Sequence, residues 1–319
     1  MNKSFQILSL DGGGIKGLFA AAFLAKLEED LGITVIDHFD LIVGTSTGGI
    51  IALGLGLGLT PKKIVDFYFQ KGPQIFGKVP LLTDFLHWFI TKYSGRRIEK
   101  VLKGDDCFGE RLLGESKKRL VIPSYNIDSN DVYLFKTAHH ERLRRDYKLP
   151  AWKIARATTA APTFFPISTI IDGISLIDGG VWANNPAMVG LFEAISILDI
   201  PMKDVKILSI GTTQEIKRKS FLRACSESLG GLLCWAGSAP ELIMQAQGVS
   251  ISRQLKLLLN ENFERVHPSV PEGLFGLDKM NLKKLFAFAS KYSREFSPIF
   301  VNKFKEHIAE EFVPFQNRR

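Results

Sequence analysis

The chain has 319 residues, 45% hydrophobic and 23% charged, a composition that excludes a disordered or collagen-like polypeptide and predicts one large domain or two modest ones. Its net charge is +8, unevenly spread: residues 1–200 hold 23 basic against 21 acidic residues, and residues 201–319 hold 18 against 12. Cys107, Cys225 and Cys234 form no CxxC and sit beside no histidine cluster, which supports neither a zinc site nor a disulfide framework and predicts a reducing, cytoplasmic setting.

The start, MNKSF, runs into the strand-like FQILSL (5–10) without the apolar core and small-residue cleavage site of a signal peptide, so none is expected. Asp11 and three glycines end that strand. Gly17 to Leu31 then places Leu18, Ala21, Ala22, Leu24, Ala25 and Leu27 at helical spacing. FDLIVG (39–44) reads as a second buried strand of a parallel sheet. Residues 41–59 carry no charge, but six glycines with Thr45, Ser46 and Thr47 suit a strand, a sharp turn and a core helix better than a membrane span. Thr60 and Pro61 open an amphipathic helix through Phe69.

Residues 72–92 are rich in large apolar side chains, and the segment Ile75 to Ile90 reads either as core or as an acyl groove or lid. LVIPSYN (120–126) and VYLFKT (132–137) are expected to be neighbouring strands, followed by a polar, basic connection at 139–148. Lys153 to Ala161 reads as a helix ended by Pro162, then a strand pair at 168–177, then DGGVWANNP. Ala187 to Leu198 reads as another helix and VKILSIG (205–211) as another parallel strand. Beyond about residue 215 only helices are expected. The alternation predicts an α/β three-layer sandwich with a mainly parallel central sheet: a catalytic domain over 1–214, and a helical extension over 215–319 packed on it, with a regulatory role open.

Three glycine-bearing turns carry the chemistry. Gly44-Thr45-Ser46-Thr47-Gly48 lies between a strand and a helix, the context of a nucleophile elbow, and makes Ser46 the candidate nucleophile; the alternative is a glycine turn whose serine caps the helix. None of the six histidines lies in a strand-end loop suited to a triad, and they read as surface or partly buried polar residues. The candidate base is therefore Asp178, at a strand end before Gly179 and Gly180, unless it only caps that turn. Asp11-Gly12-Gly13-Gly14-Ile15-Lys16-Gly17 forms an anion nest at a helix N-terminus, suited to a phosphate or to a tetrahedral oxyanion. Gly12, Gly14 and Gly17 also spell GxGxxG, which raises a dinucleotide-dependent oxidoreductase. That reading needs an acid at the end of the second strand, where the Ser46 turn stands instead, while Asp37 and Asp40 precede the strand.

DGGGIKG (11–17), GTSTG (44–48) and DGG (178–180), in this order, together with ATTAAPTFFP (157–166) and VWANNPA (181–187), resemble the patatin-like phospholipase family from residue 5 to about 211. The resemblance implies a Ser46–Asp178 dyad, an oxyanion hole lined by Gly12, Gly13 and Gly14, and hydrolysis of glycerophospholipid acyl esters at a membrane surface with no metal or cofactor required. Lys16 stands where members commonly carry arginine, which keeps the charge and loses the planar fork. GIKG, GTSTGGIIALGLG and the basic tail are also similar to the patatin-like effectors of cyclic-oligonucleotide antiphage signalling, which implies a cyclic dinucleotide activator. Arg218, Arg223, Arg253 and Lys256 are the basic residues that would meet phosphodiesters or lipid headgroups, unless they form only a solvated face. No DNA or RNA polymer is expected as partner, and the location expected is cytoplasmic with peripheral contact to the inner membrane face. The alternative from another class is a non-catalytic lipid- or nucleotide-binding module. Acyl-chain preference and oligomeric state are not legible.

Overall fold

The computed structural model of the chain describes residues 4–77, 91–216, 239–271, 274–275 and 281–317. Its strands are β1 (Phe5–Leu10), β2 (Leu41–Gly44), β3 (Arg119–Asn126), β4 (Asp131–Lys136), β5 (Leu176–Asp178), β6 (Val205–Ile210), β7 (Gln214–Ile216), β8 (Phe263–Val266) and β9 (Ser269–Pro271). The central sheet runs β4-β3-β2-β1-β6-β8, with β1, β2, β3, β6 and β8 parallel and β4 antiparallel at one edge. β7 and β9 form a small parallel pair of their own.

Because successive strand residues face opposite ways, each strand feeds two cores. Leu8, Leu10, Ile42 and Ile122 point to one side, beneath α1 (Leu18–Leu31), α2 (Thr47–Gly56) and α3 (Pro61–Ile75). Ile7, Val43 and Ile207 point to the other. The remaining helices are α4 (Gly95–Leu102), α5 (Ala151–Thr158), α6 (Gly180–Ala183), α7 (Ala187–Ser196), α8 (Ala239–Leu259) and α9 (Leu282–Lys303). Ala187 and Leu191 of α7 and Leu255 and Leu259 of α8 cover the second face, completing three layers.

The C-terminal region is mainly helical, and α9 lies along α1. Phe23 meets Phe296 with ring centroids 5.5 Å apart, and Ser293 Oγ donates to the Phe23 carbonyl at 3.0 Å. Burying one such phenylalanine contributes roughly 1.5–3 kcal/mol. The expectation of helices alone after residue 215 is corrected by β8, which pairs with β6 in the main sheet. The strand pair expected at 168–177 reduces to one bridge between Ser168 and Leu176, because Asp172 and Gly173 both take positive φ and turn the chain. The helix opened by Thr60, whose Oγ1 accepts from the Lys63 N–H, continues past Phe69 to Ile75.

The sheet also decides what meets at its upper end. β4 occupies one whole edge of β3, so β2 and β5 share the other: β2 along Arg119–Val121, and β5, running the opposite way, along Ser124–Asn126. The two strands approach end to end, and Asp178 sits opposite Ser124, just beyond the point where β2 gives way to the turn at Ser46. Residues 41–59 divide among β2, that turn and α2. Among the described residues no helix is long and apolar enough to cross a membrane.

Candidate active site

Ser46 takes φ 55° and ψ −121°, a conformation that costs a non-glycine residue roughly 1–3 kcal/mol and persists only where its surroundings impose it. They do so through backbone crowding: a side chain on Gly48 would strike the Leu10 carbonyl, so α2 packs directly on β1. Thr158 Oγ1 accepts the Ser46 N–H at 3.0 Å while donating to the Pro123 carbonyl at 2.6 Å, and Thr45 Oγ1 donates to the Ala183 carbonyl at 2.6 Å. These contacts aim Ser46 Oγ at Asp178 Oδ2, to which it donates at 2.6 Å.

Asp178 is held from both sides. Its N–H donates to the Ala160 carbonyl at 3.1 Å, and its Oδ1 accepts the Gly180 N–H at 2.7 Å, leaving Oδ2 for the serine. Burial pushes the carboxyl up to about 6, against the hydrogen bonds from Ser46 and Gly180, which favour the charged form. At neutral pH the group is an ionised carboxylate close enough to its own titration to accept a proton.

The first glycine motif forms the facing wall. Gly12 lies beside Ser46, but its N–H is already donated to the Asn184 carbonyl at 3.0 Å. Gly13 and Gly14, the latter at φ 58°, enter a helical turn at Gly14–Gly17 and keep backbone N–H groups that no other part of the described chain accepts. The loop is anchored by charge. Arg265 Nη1 and Nη2 grip the two Asp11 oxygens at 2.8 and 2.5 Å, and Lys16, itself buried, donates from Nζ to the Thr213 carbonyl at 3.1 Å. Gly17 abuts Thr47 and Tyr68, whose hydroxyls are bonded to each other.

In front of Ser46 opens a cavity of about 330 Å³, walled mostly by apolar side chains such as Ile15, Ile50, Phe67, Ile75, Phe76 and Phe165. Of the segment Ile75 to Ile90, read as core or as an acyl groove or lid, Ile75 is buried in the core with Phe76 packed against it, and both line this cavity; residues 78–90 lie outside the described residues, as do Arg218 and Arg223. Arg253 lines the cavity from α8, whereas Lys256 donates to the Asn260 carbonyl at 2.9 Å.

Two histidines read as surface or partly buried are fully buried. His38 Nδ1 donates to the His307 carbonyl at 2.8 Å and His139 Nε2 meets Glu193 at 2.8 Å, both remote from Ser46. His267 lines the cavity, where burial and the neighbouring Arg265 and Lys16 push its imidazole down to about 3, so it stays neutral. Asp40 lies at the opposite end of β2, as the sequence implied, and accepts the Gln6 N–H at 2.8 Å. Sequence reading missed Thr158, Asn184 and Arg265. Thr158 lies inside the ATTAAPTFFP signature and was within reach, whereas Arg265 reaches Asp11 across 254 positions and has no local signal.

A cavity walled mostly by apolar side chains beside the buried Ser46 hydroxyl has the character of an acyl-chain site, which is the substrate chemistry of lipid hydrolases. The model of the patatin-like phospholipase family matches residues 8–191, and the chain belongs to that family. It is 31% identical over 286 residues to a cGAMP-activated phospholipase of Pseudomonas aeruginosa, covering 88% of this chain and 84% of the relative. A cGAMP-activated phospholipase of Vibrio cholerae is 32% identical over 303 residues, covering 85% and 83%. Among solved structures, VipD from Legionella pneumophila shares the fold, with a TM-score of 0.51 at 12% identity over 95% of this chain and 67% of that one.

Proposed function

We propose that the protein is a cyclic-dinucleotide-activated phospholipase that cleaves glycerophospholipid acyl esters through a Ser46–Asp178 dyad, acting at the inner membrane face in bacterial antiphage defence. The observation that carries the chemistry is the 2.6 Å bond from Ser46 Oγ to a buried carboxylate whose other oxygen is already occupied. Ser46 Oγ attacks the ester carbonyl carbon as its proton passes to Asp178 Oδ2. The Gly13 and Gly14 N–H groups receive the oxyanion, with Gly12 giving close approach rather than a donor. Collapse expels the lysolipid alcohol, which takes the proton from Asp178. Water, deprotonated by the same carboxylate, then releases the fatty acid and restores the serine.

Activation by a cyclic dinucleotide is supported by the two bacterial relatives, both cGAMP-activated phospholipases whose similarity extends over most of both chains. The test is fatty-acid release from mixed phospholipid vesicles by wild type and Ser46→Ala, each with and without 3′,3′-cGAMP and other purine cyclic dinucleotides. Release that needs both Ser46 and one nucleotide is expected. Release that survives Ser46→Ala would sink the serine mechanism, and release indifferent to every nucleotide would remove the activation.

A further inference from the structure

A second cleft, of about 650 Å³, opens where the chain enters α4, bounded by Arg156 of α5 and by residues 166–170. Its electrostatics run against those of an ordinary helix start. The first turn of α4 carries Arg96 and Arg97 and no acidic residue, although a helix N-terminus is the positive end of the peptide dipoles. Ser94 stands at the N-cap without a side-chain bond to the helix, and the Gly95 and Arg96 N–H groups belong to the set that no helix can satisfy internally. Arg156 is pressed against this same end: a Cβ on Gly95 would lie 2.8 Å from its Nη2.

The Arg156 side chain is 2% exposed. Its Nε donates to Glu99 Oε1 at 3.2 Å and its Nη2 to the Pro166 carbonyl at 2.8 Å, but Nη1 is buried with no partner. Ser168 Oγ, in the opposite wall and 1% exposed, is also buried without a partner. Glu99 is the one carboxylate among the described lining residues, against Lys92, Arg96, Arg97 and Arg156. Arg156 and Ser168 line this cleft, and a guanidinium N–H, a hydroxyl and first-turn amides drawn together around it lack an acceptor with several oxygens.

We propose that this cleft binds a phosphate group, presented either by a soluble nucleotide or by a lipid headgroup. Its tetrahedral oxygens match donors converging from three chain segments, whereas a carboxylate offers only two. The site is separate from the lipid cavity but shares a wall with it. Tyr93, which lines the cleft, packs on Phe76 and Phe165 of the cavity at 5.4 and 5.6 Å between centroids, and Arg156 lies two residues before Thr158, which holds the Ser46 N–H. Occupancy therefore stiffens the cavity wall and the support of the nucleophile together.

The test uses the full chain carrying Ser46→Ala, so that binding is read without turnover and stays distinct from the hydrolase reading. Calorimetry with inorganic pyrophosphate and with 3′,3′-cGAMP, and flotation with phosphatidylcholine vesicles with or without phosphatidylglycerol, are applied to this protein. The same measurements follow on it with Arg96→Ala/Arg97→Ala, with Ser168→Ala, and with Lys62→Ala/Lys63→Ala as a charge-matched control on exposed positions of α3. At least one phosphate-bearing probe is expected to bind and to weaken about tenfold or more in the arginine pair and in Ser168→Ala while the lysine pair keeps it. Whether cGAMP or the anionic vesicle follows that pattern identifies the source of the phosphate. No binding of any probe, equal loss in the lysine pair, or undiminished binding in the arginine pair would overturn the site.

Discussion

The two ends of β2 each hold a buried carboxylate, and the contrast between them separates stability from reactivity. At the lower end Asp40 Oδ2 accepts from the Gln6 N–H at 2.8 Å and from His307 Nε2 at 2.7 Å, and the tail around it is tied down where the Ala309 N–H reaches the Asp37 carbonyl at 2.7 Å. At the upper end Asp178 has one amide and one serine hydroxyl, and its carboxyl is pushed up to about 6. The two donors of the lower carboxylate come from β1 and from the C-terminal segment, so it ties the two together. The upper one also has two donors, and it is burial that raises it and leaves it close to its own titration, as a proton acceptor requires.

The sharpest way to break the contrast is Asp178→Asn, which keeps the shape and removes the base. Vesicle hydrolysis is expected to fall by roughly 10³-fold or more. Lowering the pH acts on the same group more gently. Because the carboxylate must be ionised to accept the serine proton, the rate should drop about tenfold per unit below about pH 6, read as initial rates between pH 4.5 and 8.

Stability should move the other way. The folded carboxyl titrates above its ordinary 3.8, so its contribution to stability is fully present below pH 3.8 and is lost as the pH rises through about 6. Asp178→Asn escapes that loss and should be more stable than wild type above pH 6 by on the order of 2 kcal/mol, with the difference vanishing near pH 4 in denaturant melts. At the lower end, His307→Ala should cost about 1–2 kcal/mol in the same melts, because Asp40 loses one of its donors, while vesicle hydrolysis is unchanged. A His307 variant that lost activity without losing stability would erase the division of labour between the two ends.

Much of the upper end was legible because its chemistry is written in short strand, glycine and helix runs: Ser46 and the Gly12–Gly14 loop each declare themselves within seven residues. Asp178 was legible for the same reason, through the DGG that follows an apolar strand. What escaped were residues whose roles depend on distant partners. Arg265 reads as one more basic residue in FERV until the sheet sets β8 beside β6, and FERV itself is too short and too charged to announce a central-sheet strand. His139 sits in a run of charges that looks solvated, and its burial rests on Thr137 beside it together with Glu193 of α7, 54 positions away. Gly12 was misjudged in one particular: a glycine in the loop suggests a free amide, and the Asn184 carbonyl that takes it lies on another segment.

The end-to-end meeting of β2 and β5 also governs when the two candidate site residues come together. Ser46 and Asp178 are 132 positions apart, and their alignment depends on β3 having gathered one strand from each side of itself in sequence. A ribosome-bound chain that has finished its first hundred residues already holds Ser46 but not the carboxylate it bonds to. One step of slippage of β5 along β3 would turn the aspartate to the other face of the sheet and silence a complete chain as well. Under the proposed function, nascent and misregistered copies are thus kept from hydrolysis by topology alone.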